Sequence, residues 1–125
     1  MTNPSDKRVM IADDTSVMRS LLKQIIQSWG YDVVAEAGDG YQALKAFREL
    51  KPRVVCLDIE MPEMNGLDVL ARIKDEAPLT KVIMITGDTQ ASSVKKAIAA
   101  GADGYIVKPF NGTRVMETIQ KALEA

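Results

Sequence analysis

Asp58 stands directly after a wholly apolar run, residues 54–57, and is the residue best placed to do chemistry. Pro62 and Asn65-Gly66 follow it and break the backbone pattern. An uninterrupted apolar run predicts a strand that is buried on both faces, as in a parallel sheet. Asp58 is therefore predicted at the end of a buried strand, the edge of an open α/β sheet where ligands bind. A carboxylate there can act as a nucleophile toward a phosphoryl group.

Three other predicted strands also end in residues that can bind ions or phosphate. Asp13 and Asp14 follow the first strand, Thr86 ends the fourth, and Lys108 follows the fifth. Any one of these residues alone is better explained as a helix cap or a surface residue. If the strands are neighbours in one parallel sheet, however, all of these side chains meet at one edge, and the combination favours a functional site.

Carboxylates that meet in this way need a counter-charge. Three of them within a few ångströms repel one another by several kcal/mol, so they take up protons or bind a cation. Because every candidate ligand is an oxygen, a hard divalent ion is predicted, Mg²⁺ or Mn²⁺. Asp13 and Asp58 are expected to bind it directly and Asp14 through water, and a backbone carbonyl near Glu60 could complete the shell.

The predicted reaction is phosphoryl transfer to Asp58. The cation, the Lys108 ammonium and the Thr86 hydroxyl would neutralise the phosphoryl oxygens while the carboxylate attacks in line. The chain has no histidine, which excludes a histidine metal site, a Ser-His pair and a histidine phosphoryl carrier. The acyl phosphate product is labile and suits a transient signal.

The composition predicts a single soluble domain. The chain has 125 residues, 46% of them apolar and 26% charged, and a net charge of −1, which gives no general drive toward nucleic acid or an anionic membrane. We expect neither a signal peptide nor a membrane span. The single cysteine, Cys56, is predicted to be a small buried side chain, and it fits a reducing, cytoplasmic compartment.

The elements that must position these residues alternate along the chain. Apolar runs predict strands at 7–12, 32–37, 54–57, 81–86 and 104–107, with the second at a sheet edge. Helical stripes follow each strand, and they include Trp29 in the first helix, Leu50 in the second and Ile98 in the fourth. Five βα units imply an α/β fold: a parallel sheet with helices on both faces.

With these residues in place, the chain resembles the receiver domain of two-component response regulators along essentially its whole length. The matching motifs are Asp13-Asp14, residues 57–66 around Asp58, Thr86-Gly87, and residues 105–110 around Lys108. The resemblance implies a flavodoxin-like, doubly wound five-stranded parallel sheet of order 2-1-3-4-5 flanked by five helices. It also implies a single receiver domain over residues 1–125, with residues 1–6 as a polar tail.

The resemblance assigns roles to individual residues. It implies the phosphoacceptor Asp58, the metal carboxylates Asp13 and Asp14, the switch hydroxyl Thr86, the phosphate-binding Lys108, the switch aromatic Tyr105, and a cis bond before Pro109. Phosphorylation would then draw Thr86 toward the phosphoryl group, Tyr105 would fill the vacated space, and the helix 4–strand 5–helix 5 face would change. Without the resemblance, Tyr105 is an ordinary half-buried strand tyrosine.

Two further acidic residues closely follow predicted site residues in the sequence. Glu60 lies two residues after Asp58, where chemotaxis regulators often have asparagine, and Asp88 lies two residues after Thr86. Both are expected at the mouth of the site, where they would meet the water that hydrolyses the acyl phosphate. We hypothesise that they tune its lifetime.

The resemblance implies a stand-alone signalling protein rather than an enzyme. A histidine kinase or a histidine phosphotransfer protein would be the phosphodonor, and self-phosphorylation and autodephosphorylation would be intrinsic. No effector follows the last predicted helix, so we expect a protein target, such as a flagellar motor switch protein in chemotaxis, with no direct DNA binding and no membrane contact.

Other functions stay open at this point. The chain could be a relay or phosphate-sink receiver in another pathway, or a phosphorylation-independent binding module. A flavodoxin would need a Ser/Thr/Gly-rich phosphate cradle where this chain has Asp13-Asp14. An aspartate-nucleophile phosphatase would need additional sequence to select a substrate.

Overall fold

Five parallel strands form a single sheet flanked by five α-helices. The computed structural model describes residues 4–125. The strands are β1 (Arg8–Ala12), β2 (Asp32–Ala37), β3 (Val54–Leu57), β4 (Lys81–Thr86) and β5 (Gly104–Val107). The helices are α1 (Ser16–Ser28), α2 (Gly40–Leu50), α3 (Gly66–Glu76), α4 (Ala91–Ala99) and α5 (Gly112–Glu124).

The order of the strands across the sheet is β2-β1-β3-β4-β5, which confirms the expected topology and places β2 at an edge. All four pairings are parallel. The carboxyl ends of the strands therefore share one edge. That edge holds the residues after β1, β3 and β5 and the last residue of β4.

The core has two halves, one on each face of the sheet. Alternate strand residues such as Met10 and Leu57 pack against α2, α3 and α4. Their neighbours, such as Ile11 and Cys56, pack against α1 and α5. The apolar runs predicted to be buried strands are buried because helices cover both faces of the sheet.

Several helix positions expected in the core are instead substantially exposed, and three of them show why. Trp29 is 41% exposed, Leu50 39% and Ile98 66%. Trp29 and Leu50 lie at the carboxyl ends of α1 and α2, just before the short connections to β2 and β3. Ile98 lies on the outer side of α4, next to the buried Ala97. A helical stripe wider than the buried face accounts for all three.

The predicted polar tail is partly folded. Residues 1–3 lie outside the described residues, while Pro4–Lys7 form a 3-10 turn. The Asp6 carboxylate accepts a 3.0 Å hydrogen bond from Arg53 Nε, which attaches this turn to the segment that enters β3. None of the helices within residues 4–125 is long and apolar enough to cross a bilayer.

Candidate functional site

One lysine pairs with two buried carboxylates at the carboxyl edge of the sheet. Lys108 Nζ lies 2.7 Å from Asp13 Oδ2 and 2.9 Å from Asp58 Oδ2. Asp13 is 1% exposed and Asp58 4%. Because Lys108 follows β5 whereas Asp58 follows β3, the long lysine side chain extends past β4 to reach them.

Asp14 completes a cluster of three carboxylates. One oxygen each from Asp13, Asp14 and Asp58 lie within 4.8 Å of one another, and Asp14 is exposed. A single ammonium leaves this cluster with an excess of negative charge. An all-oxygen donor set with one solvent-accessible member fits a hard divalent cation that keeps part of its water shell. The carboxylates predicted to hold a metal are therefore close enough to do so.

The ammonium of Lys108 is held in its charged form. Burial disfavours the charge and would lower the pKa, but the hydrogen bonds that the ammonium donates to Asp13 and Asp58, together with the negative charges of these carboxylates, outweigh burial. The net effect raises the pKa of Lys108 above its ordinary value.

Asp13 is constrained on both its side chain and its backbone. Its Oδ1 accepts hydrogen bonds from the Thr15 backbone N–H at 3.0 Å and from the Thr15 hydroxyl at 3.1 Å. The Asp13 N–H donates to the Ala37 carbonyl at 3.0 Å, and Arg19 Nη1 donates to the Asp13 carbonyl at 2.6 Å. The loop between β1 and α1 is therefore attached to both β2 and α1.

Asp58 is held through its backbone as well as through its side chain. Its N–H donates to the Ala12 carbonyl at 2.9 Å, and its Oδ1 accepts a 3.3 Å hydrogen bond from the Glu60 N–H. Gly66 lies against this backbone so closely that an added Cβ would stand 2.0 Å from the Asp58 carbonyl oxygen. Only glycine allows this approach, so Gly66 is required for the position of Asp58.

Thr86 and Tyr105 are connected through the loop after β4. Thr86 is fully buried, and its hydroxyl oxygen accepts a 3.2 Å hydrogen bond from the Asp88 N–H. The Tyr105 hydroxyl donates to the Asp88 carbonyl at 2.7 Å. The Lys108 N–H donates to the Thr86 carbonyl at 2.9 Å. Tyr105 on β5 and Lys108 directly after it are thus both bonded to the short segment 86–88, which contains Thr86.

Comparison with known proteins identifies the family. A model of the response regulator receiver domain matches residues 9–120. The chain belongs to the response regulator receiver family. Chemotaxis protein CheY of Thermotoga maritima is 46% identical over 115 residues, which cover 92% of this chain and 96% of that protein.

Solved receiver structures have the same fold. The CheY-like receiver of Methanospirillum hungatei superposes with a TM-score of 0.89 at 31% identity, and the match covers 94% of this chain and 93% of that one. The CheX-CheY-BeF3-Mg+2 complex of Borrelia burgdorferi gives a TM-score of 0.88 at 31% identity, with coverage of 91% and 87%.

In this receiver, the side chain of Asp88 is hydrogen-bonded to residues at the start of α4. Its Oδ1 accepts a 2.9 Å hydrogen bond from the Gln90 N–H, and its Oδ2 accepts a 2.7 Å bond from the Ser93 hydroxyl. These bonds, the Ser93 bond foremost, lower the pKa of Asp88. Both carboxylate oxygens therefore accept hydrogen bonds from the start of α4, and the role of Asp88 in tuning the lifetime of the phosphorylated form stays a prediction. Glu60 is exposed, and its role in tuning the lifetime likewise stays a prediction.

Pro109 is preceded by a cis peptide bond, as the family resemblance implied. The sequence interpretation did not identify Arg19 or Ser93 as residues of the site. The bond from the Gln90 N–H to the Asp88 side chain two residues earlier is a local turn that could have been recognised, whereas the Asp88–Ser93 contact spans five residues and is not a capping pattern. The contact of Arg19 with Asp13 carries no comparable local signal.

Proposed function

We propose that this receiver accepts a phosphoryl group on Asp58 and thereby switches its surface toward a partner protein. The observation that carries the proposal is the position of the Lys108 ammonium, which bridges the Asp13 and Asp58 carboxylates at the carboxyl edge of the sheet. A buried carboxylate lies beside one ammonium and within a cluster of carboxylates that carries excess negative charge. This arrangement supports phosphoryl transfer, which depends on positioning and on charge neutralisation.

The transfer is a displacement at phosphorus. An oxygen of the Asp58 carboxylate forms the new P–O bond, while the bond from phosphorus to the donor breaks. The electron pair of that bond leaves with the donor, which is a histidine nitrogen of a kinase or phosphotransfer protein, or the acetate of acetyl phosphate. No proton is taken from Asp58, because the attacking group is already a carboxylate.

Several residues around Asp58 stabilise the transferred phosphoryl group, each in a different way. Lys108 moves its ammonium from the Asp58 carboxylate toward a phosphoryl oxygen and keeps its contact with Asp13. Asp13 and Asp58 would hold Mg²⁺, or Mn²⁺, with Asp14 acting through water and the Glu60 carbonyl as a further ligand. When bound, the ion would neutralise charge on the phosphoryl oxygens.

The switch follows from the bonds around Asp88. When the Thr86 hydroxyl turns toward the phosphoryl oxygens, it gives up its hydrogen bond with the Asp88 N–H. The Asp88 carbonyl also holds the Tyr105 hydroxyl, so the two movements are coupled. Tyr105 then fills the space left by Thr86, and the surface formed by α4, β5 and α5 changes.

We place this protein in chemotaxis signalling in the cytoplasm, as a signalling protein without turnover on free substrates. The support is the 46% identity to a chemotaxis protein CheY over nearly the whole of both chains. The proposed phosphodonor is a histidine kinase or a histidine phosphotransfer protein. The proposed target is another protein, such as a flagellar motor switch protein.

The test is the intact mass of the protein after incubation with acetyl phosphate. Wild type with Mg²⁺ should gain one phosphoryl group, whereas Asp58→Asn, or wild type with EDTA, should gain none. Failure of wild type to gain mass would overturn the proposal in favour of a phosphorylation-independent binding module. Transfer from a phosphorylated chemotaxis kinase then tests the pathway, and the absence of transfer would favour a relay or phosphate-sink receiver.

A further inference from the structure

Arg19 is a residue to which neither the motifs nor the proposed reaction assigns a role. We propose that it is a positioning residue that orients the carboxylates of Asp13 and Asp14 for cation binding, an inference that rests on the proposed function. Its Nη1 donates to the Asp13 carbonyl at 2.6 Å, and its Nε lies 3.6 Å from Glu36 Oε1. The Arg19 side chain is 21% exposed, so these contacts are substantially shielded from water.

The bond from Arg19 controls a peptide plane. The Asp13 carbonyl belongs to the planar peptide unit that joins Asp13 to Asp14, so fixing this oxygen fixes the direction in which Asp14 leaves the loop. The other side of Asp13 is fixed as well, because its N–H donates to the Ala37 carbonyl at the end of β2. The pair of acidic residues is therefore set in place by β2 on one side and by Arg19 on the other.

Glu36 orients Arg19 in turn. It is the β2 residue immediately before Ala37, and it pairs with both Arg19 and Lys23. Gly38 leaves room for the guanidinium, since an added Cβ there would lie 3.3 Å from Arg19 Nη1. A branched side chain at position 38 would displace Arg19 without any change of charge.

Removal of Arg19 has two expected effects on metal affinity, and they have opposite signs: one comes from the loss of its charge and the other from the loss of its bond to Asp13. A cation near the acidic cluster repels a bound metal ion, so loss of its charge alone would strengthen metal binding. Loss of positioning would weaken metal binding. Outer-shell partners of metal ligands typically contribute 10- to 100-fold in affinity, and Arg19 bonds the backbone of a ligand residue rather than its carboxylate, so we expect the low end of this range.

Lys23 provides the matched control. It lies one helical turn after Arg19, carries the same charge and pairs with the same Glu36 at 3.5 Å. It pairs with Glu36 and not with Asp13. Lys23→Met therefore removes an equal charge from the same neighbourhood while it leaves the Asp13 carbonyl bonded to Arg19.

The experiment measures the Kd for Mn²⁺ from the electron paramagnetic resonance signal of the free ion, with the full chain and without phosphodonor. Arg19→Met should raise the Kd by about tenfold, and Gly38→Val should raise it in the same direction. Arg19→Lys should recover part of the affinity, and Lys23→Met should leave the Kd unchanged or lower it. Circular dichroism checks that each variant is folded.

Equal Kd values for Arg19→Met and Lys23→Met, or a lower Kd for Arg19→Met than for wild type, would overturn the positioning role and leave the proposed function intact. If Arg19→Met does not fold, Gly38→Val and Arg19→Lys decide the question in the same way. Failure of wild type to bind Mn²⁺ would overturn the proposed metal-dependent function itself, and the role of Arg19 with it.

Discussion

Tyr105 donates a hydrogen bond of 2.7 Å from its hydroxyl to the carbonyl oxygen of Asp88. This bond ties β5 to the loop after β4, and the N–H of the same Asp88 donates to the hydroxyl of Thr86. The two proposed switch residues are therefore not in independent positions. Thr86 is bonded to the backbone N–H of Asp88 and Tyr105 to the backbone carbonyl of the same residue. The backbone of Asp88 therefore connects the two proposed switch residues.

Tyr105→Phe removes one bond of this connection. We expect the free energy of unfolding to fall by about 0.5–1.5 kcal/mol, the usual contribution of one hydrogen bond. Urea denaturation measures this change. Tyr41→Phe is the control, because Tyr41 is 60% exposed and its variant should differ from wild type by less than about 0.5 kcal/mol. Equal stability of Tyr105→Phe and wild type would contradict a structural role for the bond.

Lys108→Met leaves the Asp13 and Asp58 carboxylates facing each other without their shared ammonium. In EDTA we expect a loss of about 3–5 kcal/mol in unfolding free energy, as for other broken buried ion pairs. Because a bound cation can replace the missing charge, Mg²⁺ should stabilise this variant more than it stabilises wild type. Thermal unfolding with and without Mg²⁺ provides the measurement, and equal Mg²⁺ effects on the two proteins would contradict the charge argument.

Gly66→Ala places a Cβ where the Asp58 carbonyl oxygen already lies, with a separation of 2.0 Å. The carbonyl oxygen is a backbone atom and the backbone fixes the position of the Cβ, so neither can turn aside, and we expect a loss of more than about 3 kcal/mol in stability. Gly87→Ala is the matched control, since nothing lies within 4 Å of its added Cβ. A Gly66→Ala protein as stable as Gly87→Ala would show that the close approach is not needed.

Glu60 and Asp88 should differ in their effect on the lifetime of the phosphorylated form. Glu60 is exposed, whereas both carboxylate oxygens of Asp88 are occupied by the Gln90 N–H and the Ser93 hydroxyl. We expect Glu60→Asn to change the decay rate more than Asp88→Asn does. The mass increment of phosphorylated protein, followed over time after removal of acetyl phosphate, gives the rates. An unchanged rate in Glu60→Asn would remove Glu60 from this role.

Cys56 should be inert in the folded protein. Burial raises the pKa of its thiol from 9.0 to about 12, so the folded state keeps a proton that the unfolded state releases. The corresponding stability is fully present below pH 9.0 and is lost as the pH rises toward 12. At pH 8 a thiol reagent should label Cys56 only at the rate of unfolding, and rapid labelling of native protein would contradict its burial.

Much of this architecture could be predicted from the sequence because the signals are local. Apolar runs of strand length, separated by helical stripes, indicate five βα units, and parallel strands bring their carboxyl ends to one edge. The proximity of Asp13, Asp58 and Lys108 follows from that rule once the strands are neighbours. The order of the strands, in contrast, came from the family resemblance, since periodicity alone does not say which strands pair.

The tertiary structure decided which partners these residues have. Arg19 could have faced solvent on α1, but the approach of β2 places it on the Asp13 carbonyl. The Asp88 carboxylate is bonded to the start of α4 because the Ser93 hydroxyl and the Gln90 N–H lie within hydrogen-bond reach. Trp29 belongs to an apolar stripe and is still 41% exposed. Hydrogen bonds and burial depend on distances between segments that are remote in the chain, and residue spacing within one segment does not contain those distances.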